Sequence, residues 1–415
     1  MKEMYHHCPS SSSVAPANQK ILDLLIIGGG LSGIFVGHDY HHRHQRIATN
    51  PSTSSPTTAN TSSWKILEAR SVLGGRLAND DKGNRIDLGG AWVWPHHQPN
   101  LRNLLPQLDN ITTFPQPDDS SSTRIDNGAV SLVETLAKNL PEENILLNTP
   151  VQKCTWVKSH SEKDTTGSFY IQIKTKTTTN GTNGTDAATT TQLWRAKQVV
   201  IAVPPRLISK HIQFDPILSA TKRQAMESSH TWMAGVTKIA VVYPTAFWND
   251  TRQQQQQQQQ QQRHNIQTNM GLPSHLGPAF QVYDASTRDG SVAAITFFAL
   301  VKPGSSAAND DQKLAIQVTQ QLAQVWRYLK VDEDAIQTLL HSFTDIHVKQ
   351  WPLEEYISED PEPHQILPHP HPVHALSESE WNGQLLFAGS ESDWQSPGVM
   401  EGAIGSALRV LQDIP

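Results

Sequence analysis

The turn Gly28-Gly-Gly30-Leu-Ser-Gly33 follows the apolar run Ile21 to Ile27 and opens a second apolar stretch, Leu31 to His38. Its glycines therefore stand where a strand gives way to a helix. Gly28 suits a tight turn, Gly30 lets backbone amides approach a pyrophosphate, and Gly33 lets the helix pack closely on the sheet. The start of that helix, which contains Ser32, stabilises phosphate charge. Glu68 closes the next apolar run, Trp64 to Leu67, and an acid in that place bonds a ribose hydroxyl. It lies further from Gly33 than the usual spacing of about twenty residues, and the polar stretch 41–63 accounts for the excess. A third candidate is Lys238, in the run Val236-Thr-Lys-Ile-Ala-Val-Val242. A lysine in an apolar strand is costly unless it has a buried polar partner, which points to a site role.

Other chemistry is disfavoured. His369, His371 and His374 alternate with prolines in an extended connector, without the carboxylate or thiolate spacing of a metal centre, so no metal is expected. The two cysteines, Cys8 and Cys154, offer neither a disulfide framework nor a thiolate cluster. A net charge of −6 supplies no basic field for nucleic acid or an anionic membrane. The polar, serine-rich start lacks the order of a signal peptide, and no apolar run is long enough to cross a bilayer. The expectation is a cytoplasmic protein without a membrane anchor.

Two strands flanking a helix make a β-α-β unit, hence a parallel sheet covered by helices. At 415 residues the chain is long for one core, and two joined domains are expected. Asp310 to Leu329 and Ser406 to Leu411 have helical spacing, and Ser168 to Ile173 alternates as a strand does. The tracts 41–63, 174–192 and the glutamine run Gln253 to Gln262 are polar and biased and read as surface insertions, the second as an enlarged hairpin loop. The sequons at Asn180 and Asn183 read as chance occurrences.

Beyond Glu68 come Ala69-Arg70, Gly74-Gly75-Arg76 and Ile86-Asp-Leu-Gly89-Gly90-Ala91-Trp92. Asn127-Gly128, Val151, Val200-Ile-Ala-Val-Pro204-Pro205, Thr231 to Lys238 and Gln350-Trp351-Pro-Leu-Glu-Glu-Tyr356 follow. Last are Leu386-Phe-Ala-Gly389-Ser-Glu391 and Pro397-Gly-Val399-Met400-Glu-Gly-Ala403. In this order, over about 21–411, the chain resembles the flavin-containing amine oxidases of the monoamine and polyamine oxidase type. The resemblance implies an α/β fold: an FAD-binding Rossmann-like domain assembled from 19–100, 124–206 and 372–415, after a disordered leader at 1–18. A reduced α+β substrate domain with a mixed sheet would comprise 101–123 and 207–371, with low-complexity insertions at 41–63, 174–192 and 250–266.

The resemblance further implies that Gly28, Gly30, Ser32, Gly33, Glu68, Ala69, Arg70, Gly75, Arg76, Gly89, Gly90, Ala91, Trp92, Val151, Gly389, Glu391, Val399, Met400 and Ala403 hold FAD. Lys238 would hold a water at flavin N5, with Trp351 and Tyr356 in the family's aromatic segment near the flavin. The implied reaction moves a hydride equivalent from the α-carbon of an amine to flavin; O2 then reoxidises the cofactor to give H2O2, and the imine hydrolyses to an aldehyde or ketone. Three departures qualify this. Ser358 to Pro363 has no cysteine for covalent attachment, so the flavin is expected to be noncovalent. Val399 replaces the tyrosine of the family's amine cage. The stretch between Trp92 and Asn127 is short where relatives insert helices of the substrate domain. A flavin desaturase or oxidase of an apolar substrate, or a degenerate flavin-binding homologue, therefore remains as an alternative, and the oligomeric state is left open.

Overall fold

The computed structural model describes residues 20–49, 62–117, 119–159, 168–179, 188–249, 266, 268–302, 304–305, 308–358 and 366–415. The leader, the glutamine run and both sequons lie outside the described residues. The chain divides into two compact units, one of 1–75, 132–231 and 369–415 and another of 76–131 and 232–368.

The first unit is built on an eight-stranded mixed sheet. Its order is Gln213–Asp215, Val151–Lys158, Phe169–Thr179, Ala188–Ile201, Leu22–Ile27, Trp64–Leu67 and Ile145–Leu146, with Leu385–Phe387 also pairing to Ala188–Ile201. The Leu22–Ile27 run is buried because both its neighbours are parallel: Leu24 lies opposite Trp64 on one side and Gln198 on the other. Such strands carry continuous apolar runs since helices cover both faces. The helix Leu31–Thr49 returns the chain between the first two, which confirms the expected β-α-β unit.

That helix runs further into the 41–63 tract than its composition suggested. Polar partners one turn apart carry it: Arg43 with Asp39, His44 Nδ1 with Tyr40 O at 2.8 Å, and Gln45 with His41 at 2.8 Å. The described parts of the threonine-rich tract, 174–179 and 188–192, are likewise strand, with Thr175 opposite Gln192 and Thr179 opposite Ala188. Threonine is β-branched and favours extended backbone, so a polar tract of it extends a ladder.

The second unit holds a five-stranded antiparallel sheet, ordered Met270–Gly271, Ala279–Asp284, Ala293–Ala299, Thr237–Tyr243 and Asp345–Gln350. One face packs Ile239, Val241, Ile295 and Phe297 against helices Asp311–Tyr328 and Glu333–His341. The other face gathers Ala240, Tyr283, Ala294 and Phe298 with Ile86 and Leu88. Asp310 caps the longer helix by accepting from the Lys313 amide at 2.9 Å. A three-stranded sheet of Trp92–Val93, Asp119–Ile125 and Thr113–Gln116 completes the unit.

These packing units divide the chain differently from the expected domains at four places, the smallest being residues 369–371, which fall in the first unit. Residues 76–100 and 124–131 pack in the second unit, because Ile86 and Leu88 bury against its central sheet. Residues 207–231 pack in the first, where the helices Pro205–His211 and Ala220–Ser228 lie together and bury Ile208 and Met226 in the sheet's core.

Candidate active site

In the first unit the glycine turn has the geometry its spacing called for. Gly28 has φ +108°, and a β-carbon there would press on Ala202 O at 2.5 Å. A β-carbon on Gly33 would overlap the Gly28 carbonyl oxygen, so only glycine allows the helix to approach this closely. At Gly30 a β-carbon would meet nothing nearer than Gly75 Cα at 3.7 Å, which leaves that side of the turn open. The helix beyond has no acid in its first turn. An open glycine turn at a helix start without an acid fits a pyrophosphate.

Glu68, 6 % exposed, ends the second strand beside this turn. Its Oε2 accepts from the Gly29 amide at 2.6 Å and its Oε1 from the Arg70 amide at 2.8 Å. An ionised carboxylate has about four acceptor positions, so capacity for a ribose hydroxyl remains. Arg70 Nη2 donates to Gly75 O at 2.8 Å, and the amide of Gly74 donates to Gly29 O at 3.0 Å. Glu68, Arg70 and Gly75 thus meet the glycine turn, with Ala69 between the first two. Ser32 accepts from the Gly389 amide at 3.1 Å and shares a hydrogen bond with Ser406 of the closing helix at 3.3 Å. That helix, Met400–Val410, starts well before Ser406, where its periodicity suggested, with Val399 as its N-cap residue and Met400 and Ala403 buried. Glu391 is buried, and its Oε2 accepts from Ser390 Oγ at 3.0 Å. Val151 is buried in the apolar core of the sheet.

The second unit holds the remaining candidates. Lys238 is 2 % exposed and directs its Nζ to three oxygens: Gly89 O at 2.7 Å, Asp87 O at 3.1 Å and Tyr283 Oη at 3.1 Å. The rings of Phe298, Tyr283 and Trp92 surround it at 4.7, 5.2 and 5.8 Å. Burial pushes its ammonium down to about 7, with the Asp87 carboxylate opposing the shift and Arg124 reinforcing it. Burial likewise raises the Asp87 carboxyl, against the Ala129 amide and the charges of Lys238 and Arg124.

Trp351 Nε1 donates to Leu88 O at 2.8 Å, so the carbonyls of Asp87, Leu88 and Gly89 are all held by side chains. Gly89 is buried, and a β-carbon on it would overlap Arg76 O, whereas Gly90 is exposed. Ala91 is buried, and Trp92 stacks edge-on with Tyr283 at 4.6 Å. Arg76 Nη1 donates to Trp232 O at 3.4 Å. Tyr356, half-buried, follows in the turn after Trp351–Leu353.

The structure thus brings Lys238 together with Gly89, Trp92 and the Trp351-bound Leu88. Sequence reasoning missed Tyr283, Phe298, Asp87 and Arg124. For Asp87 a signal existed, an acid inside the glycine-rich Ile86–Trp92 motif. Tyr283 and Phe298 lie in strands whose apolar residues mark them only as core. Among the described residues no cluster of three or more metal-ligating side chains occurs, and no helix is long and apolar enough to cross a membrane.

Solved structures share the fold. A putrescine oxidase bound to putrescine superposes with a TM-score of 0.63 at 16 % identity, covering 95 % of this chain and 99 % of the other. Cyclohexylamine oxidase from Brevibacterium oxydans IH-35A superposes with a TM-score of 0.63 at 15 % identity, over 95 % of this chain. In sequence, putrescine oxidase of Kocuria rosea is 35 % identical over 165 residues, 39 % of this chain and 31 % of that protein. A flavin-containing amine oxidase of Danio rerio is 25 % identical over 226 residues, 54 % of this chain and 38 % of that protein. The matched stretches span less than two fifths of these relatives' own length. Residues 114–415, well over half the chain, match the family described as flavin containing amine oxidoreductase. The chain belongs to that family.

Proposed function

We propose that the protein is an FAD-dependent amine oxidase that holds its flavin without a covalent bond and uses O2 as acceptor. The observation that carries this reading is Lys238, a fully buried lysine seated on the carbonyls of Asp87 and Gly89 within three aromatic rings. Bound flavin supplies the hydride acceptor for oxidation of a carbon bearing nitrogen.

This chain's residues supply binding and orientation. The Gly28–Gly33 turn and the helix after it receive the diphosphate, and Glu68 receives a ribose hydroxyl, with Ala69, Arg70, Gly75, Arg76 and Val151 on the adenosine side. Gly389, Glu391, Val399, Met400 and Ala403 hold the ribityl and pyrimidine side. Gly89 to Trp92 offer backbone to the flat ring. Trp92, Phe298 and Tyr283 exclude water around Lys238, which strengthens every polar interaction there. Substrates are small amines, as the names of the relatives suggest, and the products are H2O2, a carbonyl compound and ammonia or a smaller amine.

The test measures H2O2 release and substrate-dependent bleaching of the flavin with putrescine, cyclohexylamine, benzylamine and amino acids, in the parent and in Lys238→Met. Turnover of one amine class with loss in the variant supports the reading. Bound flavin that no amine bleaches overturns it, and favours the apolar-substrate alternative that Val399 leaves open. Acid precipitation that releases FAD into the supernatant supports noncovalent binding, and yellow colour retained in the pellet refutes it.

A further inference from the structure

We propose that the Tyr283 hydroxyl is a positioning group that keeps Lys238 fully hydrogen-bonded in both of its protonation states, so that the lysine takes up and releases a proton without leaving its buried seat. An ammonium has three donors and no acceptor, and three oxygens face Lys238 Nζ: Asp87 O, Gly89 O and Tyr283 Oη. In that state the tyrosine O–H turns to Asp87 O, 3.4 Å away. A neutral amine has two donors and one lone pair. The two carbonyls then accept the two N–H bonds, and rotation of one O–H lets Tyr283 donate to the lone pair. Two carbonyls and a hydroxyl suit both states, because only the hydroxyl reverses its role.

The surrounding groups leave this task to Tyr283. Asp87 Oδ1 is taken by the Ala129 amide at 2.7 Å. Arg124, opposite Trp92 in the small sheet, donates through Nη2 to Ser286 O and lies over the Phe114 ring. On the neighbouring strand Lys349 stands opposite Lys238, but it is paired with Glu354 and lies over Trp351. His347, two residues away, is engaged by Asn84 at 3.1 Å and lies 3.5 Å from Asp345. Phe298, opposite Lys238 on the other side, contributes only a ring. Burial also raises the Tyr283 phenol far above neutral pH, so the hydroxyl keeps its own proton throughout.

The catalytic use of the exchanged proton rests on the amine-oxidase reading, whereas the exchange itself is read on Lys238 directly. Protein labelled with 13C and 15N lysine is titrated by NMR, and the signal absent from Lys238→Met identifies this side chain. In Tyr283→Phe the charged form loses an acceptor and the neutral form a donor. A hydrogen bond to a charged group is worth more than one to a neutral group, so the titration midpoint falls by about one pH unit. Replacing the seven tyrosines with 3-fluorotyrosine keeps the ring and its hydroxyl and exchanges one ring hydrogen for fluorine, which makes the hydroxyl a better donor and poorer acceptor, and the midpoint falls again. A midpoint that stays put or rises in Tyr283→Phe, with the parent's circular dichroism, overturns the proposal. If that variant does not fold, an unmoved midpoint in the fluorinated protein overturns it. Absence of amine turnover would leave either outcome intact.

Discussion

Replacing Lys238 by methionine keeps an unbranched side chain, one atom shorter, and removes its charge, so the stability of the variant reports what burying that charge costs. In the unfolded chain Lys238 titrates at its ordinary value of 10.5, and in the folded protein burial brings it to about 7. Between these values the unfolded state binds one proton more than the folded state, so the stability of the parent rises with pH. The stability of the methionine variant has no such contribution. Subtracting one protein from the other cancels the titrations they share except that of Asp87, which the Lys238 charge holds lower; its rise in the variant costs the variant stability as pH rises and so acts in the same direction. From pH 8 to pH 10 the parent therefore gains roughly 2 kcal/mol on the variant. The assay is urea unfolding of both proteins at four or five pH values, with the difference in unfolding free energy plotted against pH. A difference that is flat over this range would refute the reasoning, because it would mean that Lys238 titrates alike in the folded and unfolded chains.

Three other substitutions probe the framework. Gly33→Ala forces a methyl onto the Gly28 carbonyl oxygen; unfolding free energy should fall by about 2 kcal/mol, and the ratio of bound flavin to protein, read by absorbance, should fall with it. Asp284 is 0 % exposed and accepts from Trp248 Nε1 at 2.9 Å, Asn249 Nδ2 at 3.1 Å and the Ser286 amide at 2.8 Å. Asp284→Asn turns one acceptor into a donor facing another donor, and urea unfolding should show a loss of about 3 kcal/mol. Trp351→Phe removes the donor to Leu88 O; about 1 to 2 kcal/mol should be lost, and unchanged stability would mean that water replaces the indole.

What was legible in the sequence is what local rules specify. The glycine turn, the acid at the end of the second strand and the closing strand and helix each depend on residues close together in the chain. The seat of Lys238 is another matter. Tyr283, Phe298 and Asp87 reach it through antiparallel register, Lys238 opposite Phe298 and Tyr283 opposite Thr296, and through a segment that arrives from residues 86–92. Alternation shows which side chains share a face but not which strands are neighbours, so these partners had no local signature. Composition misled in the opposite way at 41–49 and in the threonine tract. There, polar residues continue a helix by partnering one turn away and continue a hairpin by β-branching, without any apolar stripe to reveal them.

The carbonyl oxygens of Asp87, Leu88 and Gly89 connect Lys238 and Trp351 into one mechanical unit. Lys238 takes the first and third, and Trp351, which begins the segment after the adjacent strand, takes the second. The backbone amide of Trp351 in turn donates to Val236 O, two residues before Lys238. Lysine and tryptophan are thus tied to each other and to the same three peptide units. That arrangement gives the lysine a structural task in addition to any chemical one: it fixes the backbone that immediately precedes Gly90. A glycine segment left to itself would sample many conformations, since glycine loses more freedom on ordering than any other residue. Held at three successive carbonyls, it becomes a rigid surface, and this gives a structural reason for a lysine buried at so large a cost.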